Sequence, residues 1–158
     1  MTDKQHHYPV EVVWTGNHGS GTKTYQGYGR EHEIRVAGKP AIAGSSDAAF
    51  RGDGSKHNPE DMLVAALSSC HMLWYLHLAA VAGVVVTGYV DEAVGVLSER
   101  GNDGRFIEAV LRPCVTIGKQ SDPDLAKRVH EDAHHACFIA NSVNFPVRCE
   151  PRIVIESV

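Results

Sequence analysis

Apolar residues fall along this chain in two rhythms, one strand-like and one helical, and the changes between them mark out the elements. Residues 10–14 are β-branched or aromatic apart from Glu11, the Gly-rich stretch Gly16-Asn17-His18-Gly19-Ser20-Gly21 follows, and residues 22–28 resume a strand-like pattern. This predicts a hairpin. Residues 32–36 alternate as a third strand, and Gly38-Lys39-Pro40 turns the chain into a loop through Gly44-Ser45-Ser46-Asp47.

Asn58-Pro59-Glu60-Asp61 then opens a helix: Asn caps, Pro suits the first helical position, and two acids meet the positive end of the helix dipole. Residues 62–82 are apolar almost all the way round, and at 1.5 Å per residue a stretch of about 21 residues could span a bilayer. Ser68, Ser69, His71 and His77 lie inside it, however, and no Lys or Arg stands near either end to orient it. The pattern predicts a helix buried on all sides within a protein, ended by Gly83. Residues 84–97 and 106–117 read as a long hairpin whose Asn102-Asp103-Gly104 tip is a turn signal. Ser121-Asp122-Pro123-Asp124 repeats the capping logic and opens a second helix running to about Cys137, before Asn141 and Pro146 break the pattern. A last strand is expected over 153–156. No repeat or linker interrupts the order, which predicts one α+β domain over residues 1–158.

Composition narrows the class of partner. Of 158 residues, 43% are apolar and 22% charged, as in a folded chain, and 15 basic against 19 acidic residues give a net charge of −4. Without a basic run there is no footprint for nucleic acid. The N-terminal sequence lacks the apolar core of a secretory signal, so a cytoplasmic protein is expected, with no membrane partner. Gly16 to Thr24 resembles a phosphate loop only at a glance, because Thr22 interrupts the Gly-Lys pairing and a strand-like segment follows.

The chemistry rests on cysteine. Cys70, Cys114, Cys137 and Cys149 show no C-x-x-C spacing and are expected to be thiols at rest. Cys70 sits mid-way along the apolar helix, where an inert core thiol is the plain reading; Cys137 at the end of the second helix raises the alternative of a redox pair. Cys114 and Cys149 read as packing thiols. His130, His134 and Cys137 recur at i, i+4 and i+7, so a metal site on that helix face is a rival reading, with His71 and His77 able to approach from the first helix.

Asn58-Pro59-Glu60 followed by Cys70 in an Ala-rich helix, together with Ala133-His134 through Cys137 to Ala140-Asn141, resembles the OsmC/Ohr proteins, thiol-dependent peroxidases that reduce organic hydroperoxides. The resemblance implies an OsmC-like α+β fold with long central helices flanked by antiparallel sheet, and an intertwined homodimer. By position, Cys70 matches the peroxidatic cysteine, Cys137 the resolving cysteine, Glu60 the active-site carboxylate, and Arg51 the arginine that activates the thiol, with Arg30 and Arg35 as other candidates. Phe138 departs from the proline that commonly follows the resolving cysteine. Neither an organic cofactor nor a metal is implied; the expected partners are an organic hydroperoxide and an external dithiol. A non-enzymatic small-molecule-binding dimer of the same fold is the alternative. Independently of the family, ten residues separate Glu60 from Cys70, about 15 Å along a straight helix. The two can share a substrate only if a second chain supplies Glu60 or the helix breaks.

Overall fold

The computed structural model describes residues 3–101 and 103–157, which fall into two units, Met1–Met62 and Leu63–Val158. Asn102, at the expected turn tip, lies outside the described residues.

In the first unit β1 (Glu11–Trp14), β2 (His32–Arg35) and β3 (Ile42–Gly44) form an antiparallel sheet in that order, with Val12 opposite Ile34 and Glu33 opposite Ala43. The expected strand over 22–28 is not formed. Residues 15–31 are instead a looped connection closed at its base, where Thr15 N–H donates to the Glu31 carbonyl (2.9 Å) and Gly29 N–H to that of Gly16 (2.8 Å). Its aromatic side chains surround a cation rather than alternate across a sheet. The Arg30 guanidinium lies 4.6 Å from the Tyr25 ring centre and 4.1 Å from that of Tyr28, and donates to both residues' carbonyls. Trp14 meets Tyr28 edge-on at 5.9 Å.

Beyond β3, Asp47 caps a single 3-10 turn, Ala48–Phe50, by accepting from Ala49 N–H (2.7 Å). Arg51 ends that turn in the left-handed region (φ 65°), alone in this among the described non-glycine residues. Gly52 follows because a Cβ there would lie 1.6 Å from the Ser46 carbonyl oxygen. Helix α1 (Pro59–Val81) starts as expected: Asn58 Oδ1 accepts from Asp61 N–H (2.7 Å), and Glu60 and Asp61 fill its first turn.

Helix α1 is continuous across all 23 residues, so no break folds Glu60 back toward Cys70. At its far end Gly83 adopts φ 77°, with Gly83 N–H bonded to Ala80 O (3.2 Å) and Val84 N–H to Ala79 O (2.9 Å). This satisfies the last carbonyls in a Schellman arrangement, and Val84 tucks into the core.

The expected long hairpin is present but bent into two sheets. Strands β4 (Val86–Asp91), β5 (Val94–Arg100), β6 (Asp103–Leu111) and β7 (Pro113–Ile117) run up and back, and β4 pairs with β7 while β5 pairs with β6. At the bend the Asp91 carboxylate accepts from Arg112 N–H (2.6 Å) and from Ser68 Oγ of α1 (2.5 Å), fixing hairpin to helix. Strand β8 (Val147–Cys149), too short to show in the pattern, joins β6 in parallel, and β9 (Arg152–Ile155) joins β7 in parallel. Helix α2 (Pro123–Ala136) begins where expected, its Asp122 cap accepting from Asp124 and Leu125 N–H at 2.9 and 3.3 Å.

Helix α1 is not buried on all sides. Leu67, His71, Tyr75 and Ala79, spaced four apart, form one buried stripe, whereas Leu73 and Val81 are 63% and 75% exposed. The sheets and α2 cover a single face, and an even distribution of apolar residues in sequence cannot reveal how many neighbours a helix has. Tyr75 and Ala79 pack with Val115, Ile117, Ala126, Val129 and Ala133, and Leu67 with Ala109 and Leu111. Helix α1 is long and apolar enough to cross a membrane, but Ser68 and His71 make hydrogen bonds within the unit.

Because Asp122 supplies the side-chain acceptor for two otherwise unpaired N–H groups of α2, Asp122→Ala should lower stability by about 1 kcal/mol. A fall in the urea midpoint with an unchanged slope checks this.

Candidate functional site

Helix α1 presents Cys70 on the flank of its buried stripe, partly exposed, beside the fully buried His71. Helix α2 ends at Cys137, whose N–H bonds the His134 carbonyl (3.3 Å) as the backbone leaves helical geometry (φ −68°, ψ 108°). The turn Ala140–Ser142 then folds back beneath it, placing Ala140 N–H 3.4 Å from Cys137 Sγ. Asn141 secures this turn by donating from Nδ2 to the His135 carbonyl (2.9 Å), which explains the Ala-Asn pair three residues beyond the cysteine.

The two thiols are neighbours, close enough for Cys70 to act on the ionisation of Cys137, and neither is in a disulfide. Cys137 is 1% exposed. Burial pushes its thiol up to about 11; the Ala140 N–H works the other way, and the neighbouring Cys70 pushes it up further. At neutral pH Cys137 is therefore a thiol that carries its proton. The surroundings are apolar and aromatic, with Trp74 of α1 edge-on to Phe138 at 5.4 Å. Phe138, where a proline was expected from the family pattern, is 68% exposed and so leaves the helix-ending turn intact while extending an apolar wall.

Glu60 and Arg51 both belong to the Met1–Met62 unit, Glu60 in the first turn of α1 and Arg51 at the end of the 3-10 turn. The three candidate arginines differ in what already holds them. Arg30 is enclosed by Tyr25 and Tyr28 and bonded to their carbonyls. Arg35 is paired with Glu33 (2.7 Å) and Glu11 (3.4 Å) on an exposed sheet face. Among the described residues the Arg51 guanidinium has no ion pair, and its nearest aromatic ring, Tyr25, is 5.9 Å away.

The rival reading of a metal face on α2 does not match what the structure assembles. Among the described residues, the group able to hold a metal ion is His71, His130 and Cys149, not His130, His134 and Cys137. His71 Nε2 lies 3.0 Å from His130 Nδ1, with Cys149 Sγ 3.5 and 3.9 Å from those nitrogens. Burial lowers both imidazoles, His71 to about 4 and His130 to about 3; nearby His134 also lowers His71, and His71 lowers His130. Both rings are neutral at pH 7. Burial, with Asp91 and Glu150 nearby, raises Cys149 to about 12. Reading Cys149 as a packing thiol missed this cluster. The signal that could have found it is His71 itself, four residues from Leu67 and Tyr75 on the stripe that must be buried. Cys114 is held differently, accepting from Arg152 Nη2 at 3.1 Å.

An α+β unit with two helices packed on mixed sheets, and a thiol on each helix meeting at their contact, defines a class of small dithiol proteins. A family model for OsmC-like protein matches residues 52–152, and the chain belongs to that family. An OsmC-like protein of unknown function from Vibrio cholerae shares 32% identity and superposes with a TM-score of 0.85, over 93% of this chain and 99% of its own. An organic hydroperoxide resistance protein from Elizabethkingia anophelis has the same fold at 12% identity and TM-score 0.70, covering 98% of this chain and all of its own. The organic hydroperoxide resistance protein OhrB of Bacillus subtilis matches at 18% identity and TM-score 0.59, covering 94% and 98%. No curated protein matches the sequence.

Since Cys137 is buried and protonated while Cys70 is partly exposed, iodoacetamide at pH 7 should label Cys70 first and leave Cys137 largely unmodified. Labelling of Cys137 should rise as the pH approaches 11, as read by mass spectrometry of digested protein.

Proposed function

We propose that this protein is a thiol peroxidase that reduces organic hydroperoxides, with Cys70 as the attacking sulfur and Cys137 as the resolving one. The observation that carries the reading is that Cys70 of α1 neighbours Cys137 at the end of α2, with both as free thiols. Membership of a family whose fold is shared by organic hydroperoxide resistance proteins supports it.

In the proposed cycle the Cys70 thiolate attacks the terminal peroxide oxygen, the O–O bond breaks, and the alkoxide leaves as alcohol after taking a proton. Cys70 becomes a sulfenic acid. The Cys137 sulfur attacks it, a disulfide forms, and the sulfenic oxygen departs as water with the proton that Cys137 carried. An external dithiol restores both thiols by exchange, supplying the two electrons consumed. Arg51, without an ion pair among the described residues, provides the positive charge that favours the thiolate and the departing oxygen, and Glu60 orients its guanidinium. Trp74 and Phe138 favour an alkyl group over water beside the sulfur, which selects organic hydroperoxides over hydrogen peroxide.

The proposed working form is a cytoplasmic homodimer. Leu73 and Val81 leave an apolar strip on α1 that a second copy would cover, and an unbroken α1 keeps Glu60 about 15 Å along the helix from its own Cys70. An antiparallel α1 from the partner would bring the partner's carboxylate to the sulfur.

Dithiol-dependent consumption of cumene hydroperoxide tests the proposal. Turnover should fall to background in Cys70→Ser, and Cys137→Ser should complete one oxidation and then stall, with sulfenic or over-oxidised Cys70 seen by mass spectrometry. Arg51→Ala should slow turnover on the order of a hundredfold, the size of loss when one preorganised charge is removed from a developing anion. Activity no higher than that of Cys70→Ser in the unaltered protein would overturn the proposal in favour of a binding dimer of the same fold.

A further inference from the structure

The peroxidase reading makes no use of the most deeply buried polar cluster in the Leu63–Val158 unit. His71 comes from the middle of α1, His130 from the middle of α2 and Cys149 from the end of β8; His71 is fully buried and His130 is 3% exposed. Their potential ligand atoms all lie within 4.8 Å of one another. A hydrogen bond between the rings uses one proton and one lone pair, and among the described residues the outer nitrogens, His71 Nδ1 and His130 Nε2, are buried without a partner. Two desolvated imidazoles joined by a single hydrogen bond are costly to bury, and an ion held by the two inner nitrogens would replace that one bond with two coordinate bonds.

The spacing matches a metal polyhedron. With Zn–N about 2.0 Å and Zn–S about 2.3 Å, tetrahedral angles put two ligating nitrogens about 3.3 Å apart and a nitrogen and sulfur about 3.5 Å apart. The corresponding distances are 3.0 Å between the nitrogens and 3.5 and 3.9 Å to the sulfur. We propose that His71 Nε2, His130 Nδ1 and Cys149 Sγ form a three-ligand site for a zinc-like divalent ion, with the fourth position open to a ligand from solvent. His130 and Cys149 line a cleft of about 530 Å³ together with His134 and Glu150, which gives the ion a path in.

Two imidazoles and one sulfur select this class of ion: borderline late transition metals favour that donor set, whereas Mg²⁺ and Ca²⁺ want oxygen. Both rings are already neutral, so binding displaces only the Cys149 proton, and a dication next to the sulfur reverses the burial penalty on its thiolate. Among the described residues the outer nitrogens have no acceptor behind them. Affinity should therefore fall about 10–100-fold below that of a site whose histidines are so supported. The ion would tie α1, α2 and β8 together.

The test is Co²⁺ titration of the reduced full-length protein without oxygen, followed by optical absorption. One equivalent per chain should bind with the intense visible bands of a four-coordinate site and a near-ultraviolet sulfur-to-cobalt band, and Zn²⁺ should bleach both. Cys149→Ala should lose the sulfur band, and His130→Gln should weaken binding at least tenfold. Cys149 is only partly buried, so Cys149→Ala carries the test even where the histidine variant fails to fold. The double variant Cys70→Ser, Cys137→Ser should keep the band. No sulfur band in the unaltered protein, a band that survives Cys149→Ala, or one lost with Cys70 and Cys137 would overturn the site. The last result would place the ion on the redox pair. Because the double variant has no peroxidase chemistry, failure of the site and failure of the peroxidase reading are separately visible.

Discussion

One stripe of α1, Leu67, His71, Tyr75 and Ala79, organises the whole Leu63–Val158 unit. Its upper end meets β6 through Leu67, and its lower end meets β7 and α2 through Tyr75 and Ala79. The small side chains Ala79, Ala126 and Ala133 share one core cluster with Tyr75, whose hydroxyl donates to the Ala126 carbonyl at 3.1 Å. A polar residue in the middle of such a stripe must find its partners inside the protein. His71 does so with His130, which in turn stacks on the Tyr75 ring at 3.9 Å. An aromatic and imidazole stack thus joins α2 to α1 in the same unit in which Cys137 neighbours Cys70.

Burial works on His71, His130 and Cys137 in one direction, toward neutrality. For Cys137 this suits an acceptor of oxidation more than an initiator, since a neutral thiol beside a partly exposed one waits until its neighbour has reacted. Its place at the C-terminal end of α2 adds to the effect, because the negative end of the helix dipole disfavours a thiolate there. Difference in environment, rather than in residue type, separates the two cysteines.

The helices could be read from sequence because their starts are written in local chemistry: Asn58-Pro59 and Asp122-Pro123 cap and seed them within a few residues. Strands β3 and β8, three residues each, carry too little alternation to show, and β8 finds its place only through a parallel pairing with the distant β6. Residues 22–28 misled the pattern because Tyr25 and Tyr28, aromatic enough for a strand, wrap Arg30 instead. The cysteine pair was legible through two motifs in order along the chain. The trio of His71, His130 and Cys149 was not, since its third member depends on that same non-local strand. How much of α1 stays uncovered was equally hidden, because an apolar residue reads the same whether its neighbour is in its own chain or in another.

Arg51 is the residue that the backbone itself sets apart. A side chain in the left-handed region costs about 1–2 kcal/mol relative to glycine, and the close approach of Ser46 to Gly52 leaves the turn little freedom to relax. Glycine at this position would remove the strain and with it the one candidate guanidinium not already held by acids or aromatic rings of its own loop. Selection for thermal stability alone, in the laboratory or by drift, would thus push this site toward the residue that carries no charge. Arginine in that conformation couples a strained backbone to a positive side chain at the end of the 3-10 turn.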